Sequence, residues 1–232
     1  MRTMLITGAS QGIGLEMARQ QVAEGGWRVI ATCRQPDEAM ELQSLAARHS
    51  AVLSVHRLDV TDPTAIGALA RSLHGQPIDL LLNNAGTFAP QASDFGEVDE
   101  AVWLDVLKVN TIAPLRMAEA FVDHVAASER KIIATISSRM GSIEDNTSGG
   151  YYPYRSSKAG VNMVMRSLAA DLRRRGITCV ALSPGWVRTR MGGPQAPLTT
   201  EKSVAAMRAE LARLTLEDTG KFLDTDGSEI PW

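Results

Sequence analysis

Short apolar runs alternate along this chain with longer segments of helical periodicity, and this alternation constrains the fold more than any other feature. The apolar runs are Met4–Thr7, Trp27–Thr32, Ala51–Leu58, Ile78–Leu82, Lys131–Ile136 and Ile177–Leu182. The segments with helical periodicity include Ile13–Ala23, Ala65–Leu73, Val102–Val125 and Ala159–Leu172. Nearly continuous apolar strands are typical of a parallel sheet covered on both faces, with right-handed crossovers between strands. The pattern predicts an α/β fold, a doubly wound parallel sheet with helices on both faces.

The chain has 232 residues, of which 44% are hydrophobic, so it can bury a large core. It contains no internal repeat and no low-complexity linker. We therefore expect a single domain over residues 1–232. The loosest stretches, Ser142–Gly150 and Gly192–Thr200, follow predicted strands. Because such sheets bind ligands at the carboxyl ends of their strands, we expect these loops to form walls or lids of a site.

A glycine-rich turn, TGASQGIG at Thr7–Gly14, lies between the first predicted strand and the first predicted helix. Gly8 permits a tight turn, Gly12 lets the backbone approach a pyrophosphate, and Gly14 lets helix and strand pack closely. The helix N-terminus adds amide donors and a partial positive charge. The spacing departs from the common dinucleotide fingerprint, and three glycines alone would also suit an ordinary turn. Their position between strand and helix favours a dinucleotide site.

The end of the second predicted strand indicates which nicotinamide cofactor fits. An acidic side chain there would bond the adenosine ribose and repel a phosphate. The segment Ile30–Arg34 contains no carboxylate, and Arg34 offers a guanidinium suited to a 2′-phosphate. Arg34 could also be an ordinary solvated arginine in a loop. The absence of an acid here favours NADP(H), with NAD(H) possible.

Tyr154 and Lys158 are four residues apart, so in a helix they share a face. Tyrosine alone is a poor proton donor or base near neutral pH, because its reference pKa is about 10, and a nearby ammonium stabilises the phenolate. Pro153 fits the first turn of a helix, which places the pair near a helix start. Tyr151 and Tyr152 have an arginine and a serine at the same spacing, so we expect them to be pocket walls or packing aromatics. The pair predicts hydride transfer with Tyr154 as the proton-transfer group.

These motifs, taken in order, resemble those of the classical short-chain dehydrogenase/reductase family over nearly the whole chain. The resemblance implies a Rossmann fold with a cofactor-binding half at about residues 1–125 and a catalytic half at about 126–232. It implies a catalytic tetrad of Asn110, Ser138, Tyr154 and Lys158. It implies cofactor contacts from Gly8, Ser10, Gln11, Gly12, Ile13, Gly14, Arg34, Asp59, Val60, Asn84, Ala85, Gly86, Tyr154, Lys158, Pro184, Gly185, Val187 and Thr189. In the family pattern Asp59 would bond the adenine, and Asn110 would hold a water between Lys158 and solvent.

Two features resemble a subgroup of that family, the sniffer-like carbonyl reductases and the C-factor-like proteins. They are a long loop, GSIEDNTSGG, and the ending GKFLDTDGSEIPW. Ser138 precedes Tyr154 by sixteen residues, a longer separation than is usual in the family. Ser137 and Ser142 are therefore alternatives, and Ser138 is preferred because it follows ATIS as the family pattern requires.

The charge and the cysteine content limit the classes of partner that the protein can bind. A net charge of −2 and a pI near 6.1 argue against a nucleic acid or an anionic membrane. Cys33 and Cys179 are too few for a disulfide framework or a metal site. No apolar run is long enough to span a membrane and no room is left for a signal peptide, so we expect a cytoplasmic location.

The segments Val102–Val125 and Pro153–Arg175 resemble the helices that pair in the family's common interface, which implies a homodimer or homotetramer.

The leading hypothesis is an NADP(H)-dependent oxidoreductase that acts on a small-molecule carbonyl or alcohol substrate, as a carbonyl reductase does. One alternative is an NAD-dependent alcohol dehydrogenase of the same family. The other is a C-factor-like signalling or regulatory protein that binds a nucleotide with little turnover.

Overall fold

A computed structural model of the chain describes residues 1–89 and 93–232. The strands in this part are β1 Arg2–Ile6, β2 Trp27–Cys33, β3 Leu53–Arg57, β4 Leu80–Asn83, β5 Ile132–Ile136, β6 Thr178–Leu182 and β7 Phe222–Leu223. They form one parallel sheet in the spatial order β3-β2-β1-β4-β5-β6-β7. The six predicted strands are all present. β7 was not predicted, because two residues are too short to establish a pattern.

The helices of the described residues are α1 Gly12–Glu24, α2 Met40–Arg48, α3 Pro63–Ser72, α4 Glu100–Leu107, α5 Ala113–Ala126, α6 Tyr152–Leu172 and α7 Thr200–Arg213. None of them combines the length and apolar character that crossing a membrane requires. α2 and α7 were not among the segments named from the sequence, although α7 buries Val204, Met207 and Leu211 on one face. α6 begins at Tyr152 rather than Ala159, with Pro153 in its first turn as predicted.

The predicted continuous helix Val102–Val125 is wrong in its middle. A π-helical turn, Lys108–Ile112, separates α4 from α5. Pro114 follows this turn in the first turn of α5. Since proline has no amide hydrogen and its ring crowds the preceding turn, an α-helical hydrogen bond to the carbonyl of Asn110 cannot form there. The wider turn accommodates that loss, and such π segments are frequent at functional sites.

Helices cover both faces of the sheet, which confirms the predicted fold class. In β1, Met4 and Ile6 pack into one apolar cluster with Met17 of α1, whereas Leu5 packs into the other with Phe121 of α5. All five side chains are fully buried. A strand buried on both faces must be apolar at every position, and this explains the continuous run in the sequence.

The functional end of the sheet is set by its strand order. β2 lies on one side of β1 and β4 lies on the other, so the chain order reverses at β1. Connections after β1 and β4 consequently leave on opposite faces and open a crevice at the carboxyl ends of the strands.

Candidate active site

The turn between β1 and α1 has the backbone geometry that its glycines predict. Gly8 adopts a φ of 67°, and a side chain there would place its Cβ 2.8 Å from the Cα of Ala85. A Cβ on Gly14 would collide with the carbonyl oxygen of Gly8. Gln11, at the N-cap of α1, makes no capping hydrogen bond through its side chain. The first amides of α1 therefore face the crevice as donors suited to an anionic ligand.

Asn84 joins this turn to the end of β4. Its Nδ2 donates to the carbonyl oxygens of Thr7 and Gly8 at 2.9 and 3.0 Å. The Thr7 hydroxyl in turn accepts from the backbone amides of Asn84 and Ala85 at 3.1 and 3.0 Å. Thr7 was not assigned a role from the sequence, although its position at the end of β1 marks it as a link between the two loops.

Arg34 and Asp59 lie at the ends of adjacent strands, on the far side of the glycine turn from α6. Arg34 is exposed, and the described residues include no carboxylate that forms an ion pair with it. Asp59 accepts from the amide and hydroxyl of Thr61 at 2.9 and 2.7 Å, and these bonds hold the pKa of its carboxyl below its ordinary value. The arrangement pairs an available guanidinium with a fixed acceptor.

Tyr154 and Lys158 lie one turn apart on α6, as predicted. The Nζ of Lys158 is 5.7 Å from the centroid of the Tyr154 ring and donates to the carbonyl oxygen of Ile136 at 2.8 Å. Lys158 is buried, and this burial lowers its pKa to about 8. Burial also raises the pKa of Tyr154 to about 12, against the lowering effect of a hydrogen bond with Ser138. Desolvation is therefore the larger influence on the Tyr154 pKa in this geometry, and the lowering of that pKa by Lys158 stays a prediction.

The three candidate serines have different surroundings. Ser138 follows β5, caps the short turn Arg139–Gly141 and lies close enough to Tyr154 for its hydroxyl to lower the tyrosine pKa. Ser137 is buried and donates to Oδ1 of Asn162 at 2.6 Å. Ser142 donates to the main-chain oxygen of Trp232 at 3.3 Å. Among the three, Ser138 is the one whose hydroxyl influences the Tyr154 pKa, whereas Ser137 lines the same cleft as Tyr154.

Asn110 lies in the π-helical turn and is 1% exposed. Its Nδ2 donates to the carbonyl oxygen of Thr87 at 2.9 Å and to the Ser157 hydroxyl at 3.0 Å. Its Oδ1 accepts from the amide of Thr87 at 2.9 Å. The side chain therefore braces the loop after β4 against α6. The water between Lys158 and solvent stays a prediction, and the main-chain carbonyl of Asn110, which Pro114 leaves without an α-helical donor, is an acceptor for it.

Phe88 is an aromatic neighbour of Tyr154 that the sequence did not reveal. Its ring meets the Tyr154 ring edge-on at 4.9 Å and stacks on the Tyr151 ring at 5.7 Å. Tyr151 caps α6 in a left-handed conformation with a φ of 50°, which is uncommon for a residue other than glycine. Tyr151 therefore packs on the ring that also contacts Tyr154, which fits the predicted role of a packing aromatic.

One cleft of about 860 Å³ connects these features. It is lined by the predicted residues Gly8, Ser10, Gln11, Gly12, Ile13, Gly14, Arg34, Asp59, Val60, Asn84, Ala85, Gly86, Tyr154, Lys158, Pro184 and Thr189. Four predicted residues are not part of this lining: Asn110, Ser138, Gly185 and Val187. Thr189 closes the cleft opposite the glycine turn, since its Cγ2 is 3.4 Å from where a Cβ on Gly12 would lie. The volume is typical of a pocket for an organic ligand.

Comparison with known proteins places this geometry in context. The family model described as short chain dehydrogenase matches residues 2–198. The C-signal protein of Myxococcus xanthus is 41% identical over 165 residues, which cover 71% of this chain and 99% of that protein. The carbonyl reductase Sniffer of D. melanogaster is 33% identical with a TM-score of 0.95, and both chains are covered completely. An NADPH-bound carbonyl reductase from chicken fatty liver is 38% identical with a TM-score of 0.94, covering 100% of this chain and 99% of that one.

Proposed function

The chain belongs to the short-chain dehydrogenase/reductase family, and on that premise we propose that it is an NADP(H)-dependent carbonyl reductase. It would transfer a hydride between the nicotinamide and a small-molecule carbonyl or alcohol. The observation that carries this proposal is the single cleft that runs from Arg34, past the glycine turn, to Tyr154 and Lys158. Its resemblance to an NADPH-bound carbonyl reductase supports the choice of cofactor.

The residues of the cleft fit a dinucleotide phosphate. Side chains on Gly8 and Gly14 would collide with backbone, so a Cβ-free cradle is built into the turn. The uncapped amides of α1 would bind the pyrophosphate, Arg34 the 2′-phosphate and Asp59 the adenine. In this proposal the cofactor-binding half spans about residues 1–125 and the catalytic half about residues 126–232 of one domain.

When bound, the nicotinamide supplies or accepts the hydride. In the reductive direction negative charge develops on the carbonyl oxygen, and donors placed there stabilise the transition state. Ser138 and Tyr154 would be those donors, and Tyr154 would deliver its proton as general acid. Lys158 would hold a positive charge beside the resulting phenolate, because its Nζ lies close to the Tyr154 ring. Asn110 would keep the loop after β4 in register with α6.

The test is a panel of carbonyl substrates with NADPH and with NADH, followed at the nicotinamide absorbance. We expect turnover with NADPH and its loss in Tyr154→Phe by about a hundredfold to ten-thousandfold, because the proton donor is removed while the ring remains. Tyr151→Phe is the matched control, which should keep its activity and leave cofactor binding intact. Near-normal turnover in Tyr154→Phe, with Tyr151→Phe inactive, would reassign the proton donor. Preference for NADH would favour the NAD-dependent alternative.

Similarity to the C-signal protein favours a second candidate function, a signalling or regulatory role for the nucleotide-bound protein. The arrangement of Ser138, Tyr154 and Lys158 favours turnover, since a binding role alone does not require a proton donor beside the cleft. A protein that binds NADPH tightly but reduces no carbonyl in the panel would support this second candidate.

A further inference from the structure

The loop that follows Ser138, residues 139–145, is fastened to a segment far away in the sequence, residues 222–232. The Arg139 guanidinium makes the first connection. Its Nη1 donates to Oδ2 of Asp145 at 2.9 Å, and its Nη2 donates to Oδ2 of Asp224 at 2.6 Å. One side chain thus ties both ends of the loop to Asp224, whose carboxylate is largely shielded at 18% exposure.

A second connection between the same two segments is made by the main chain of Trp232. The main-chain oxygen of Trp232 accepts from the amides of Ile143 and Glu144 at 2.5 and 3.4 Å and from the Ser142 hydroxyl at 3.3 Å. The Trp232 ring stacks on Phe222 at 5.6 Å, and Phe222 is buried in the core. The oxygen that holds the loop is therefore itself anchored to the sheet.

Ser138 lies where this loop begins. Its Oγ accepts from the Met140 amide at 3.2 Å, and the same hydroxyl lies near Tyr154, whose pKa it lowers. On the other side of the turn, Gly141 packs so closely on α6 that a Cβ would lie 2.8 Å from the Lys158 carbonyl carbon. The direction of the Ser138 hydroxyl consequently depends on how the loop is seated.

We propose that Arg139 and Asp224, supported by the Trp232 anchor, are positioning residues that aim the Ser138 hydroxyl at the substrate oxygen. This inference rests on the proposed function. The inference assigns one function to the loop after Ser138 and to the sequence ending GKFLDTDGSEIPW. Arg139 and Asp224, which connect the two, are 85 residues apart in the sequence.

A role in stability alone is the competing explanation. Arg139 is 55% exposed, and ion pairs with an exposed partner usually contribute little to folding. A misplacement of about 1 Å at a reacting centre can instead lower a rate by about a hundredfold. Loss of the Arg139–Asp224 contact should therefore change turnover more than stability.

The first experiment compares Asp224→Asn with Asp123→Asn. The amide that replaces the Asp224 carboxylate would retain an oxygen for the Thr225 amide, which lies 2.8 Å from Oδ1 of Asp224. It would lose the charge and the acceptor Oδ2 that hold Arg139. Asp123 pairs with Arg175 at 2.6 Å outside the cleft and serves as the matched control. We expect Asp224→Asn to lower kcat for the carbonyl about tenfold. The dissociation constant for NADPH and the thermal midpoint should stay at the wild-type values, and Asp123→Asn should change none of these quantities.

The second experiment combines Asp224→Asn with Ser138→Ala. If Asp224 acts through Ser138, its substitution should have no further effect on kcat once the hydroxyl is gone. An equal loss in both backgrounds, or wild-type kcat in Asp224→Asn, would overturn the proposal. Should Asp224→Asn fail to fold, Arg139→Lys replaces it, because an ammonium keeps the charge but cannot bridge both carboxylates with the same fork.

Hydrogen exchange provides a readout that does not depend on turnover. The amides of Ile143 and Asp145 are bonded within this arrangement and should exchange faster in Asp224→Asn than in Asp123→Asn. Unchanged exchange would overturn the proposed seating of the loop. The wild-type protein could instead reduce no carbonyl while the exchange difference is present. That result would contradict the proposed function, and the Arg139–Asp224 contact would then hold the loop without a role in catalysis.

Discussion

Burial moves the two ionisable side chains of the α6 pair in opposite directions. It raises the pKa of Tyr154 to about 12 and lowers that of Lys158 to about 8. Each shift favours the neutral form, as desolvation requires. Tyr154 therefore keeps its proton throughout the range in which enzymes are assayed, and Lys158 is the member of the pair that titrates within it.

We predict that kcat for carbonyl reduction falls as the pH rises through about 8. The sign follows from Lys158, whose ammonium is present below its pKa and lost above it, so that the phenolate formed by proton donation loses its cation. One pH unit above this pKa about a tenth of the lysine stays charged, and kcat should be lower by about tenfold. The measurement is a pH–kcat profile at saturating NADPH. In Lys158→Arg the charge persists, so the remaining activity should lose this descending limb, and a flat wild-type profile to about pH 9 would refute the assignment.

We predict that Arg34 determines the preference for NADPH over NADH. Arg34→Asp should repel the 2′-phosphate and offer an acceptor to the ribose hydroxyls. A charge-assisted bond to an exposed phosphate is worth roughly 1.5–3 kcal/mol, so KM for NADPH should rise about tenfold to a hundredfold while KM for NADH changes little or falls. Steady-state kinetics with both cofactors measures this, and kcat should be nearly unaffected.

Arg57→Asp is the matched control for this substitution. Arg57 ends the adjacent strand β3, pairs with Asp37 at 3.4 Å and does not line the cleft that joins Arg34 to Tyr154. The same charge reversal there should leave the cofactor preference as it is. Equal changes in the two variants would make Arg34 one contributor to a general surface potential rather than a specific phosphate ligand.

At the scale of elements, local sequence predicted what local energetics determine. The central strands β4, β5 and β6 are mostly apolar because they are buried on both faces. Tyr154 and Lys158 share a face because they lie one turn apart. The hydrogen-bond partners of Asn110 could not be predicted from local sequence, because tertiary packing brings Thr87 and Ser157 to it. The π-helical turn was missed for a different reason: Pro114 was treated as one residue within a helical pattern, although its missing amide alters the helix around it.

The contact between α6 and the turn Arg139–Gly141 yields a prediction on stability. In Gly141→Ala the new methyl would meet the Lys158 backbone at 2.8 Å, so the turn must move away from α6. We expect the free energy of unfolding to fall by about 1–3 kcal/mol, as in other overpacked sites. The drop in kcat should be larger than this destabilisation explains, because Ser138 begins the same turn. Urea unfolding and kinetics at a temperature where the protein is folded separate the two effects.

Gly67→Ala supplies the contrasting case within a helix. Gly67 lies in α3, and its added Cβ would meet only the end of the Arg71 side chain, at 3.3 Å. Alanine in place of glycine within a helix should raise the free energy of unfolding by roughly 0.5–1 kcal/mol. A stabilised Gly141→Ala variant would show that the turn and α6 are less closely packed than described.

For the whole molecule, the sheet order explains why residues from separate parts of the sequence share one cleft. The reversal at β1 opens the crevice, and the loops after β1, β2, β3, β4, β5 and β6 all begin at the same edge of the sheet. The strand pattern predicted this edge. It did not predict the contact between Arg139 and Asp224, because nothing local to either residue indicates the other.

The last prediction concerns assembly, for which we propose a homodimer through the outer faces of α4 and α6. Leu104 on α4, Ile112 in the π-helical turn and Met163 on α6 are large apolar side chains exposed by 49%, 49% and 66%. The elements that carry them pack against one another within the chain, so a second copy could cover all three under a two-fold axis. Light scattering at micromolar concentration should give twice the mass of one chain, and Met163→Arg should shift that mass toward the monomer because it places a charge in the interface. Met40→Arg, at an exposed methionine of α2, is the control that should leave the mass unchanged. A monomeric wild-type protein would contradict the proposed dimer, and a Met163→Arg variant that stays dimeric would place its interface on another surface.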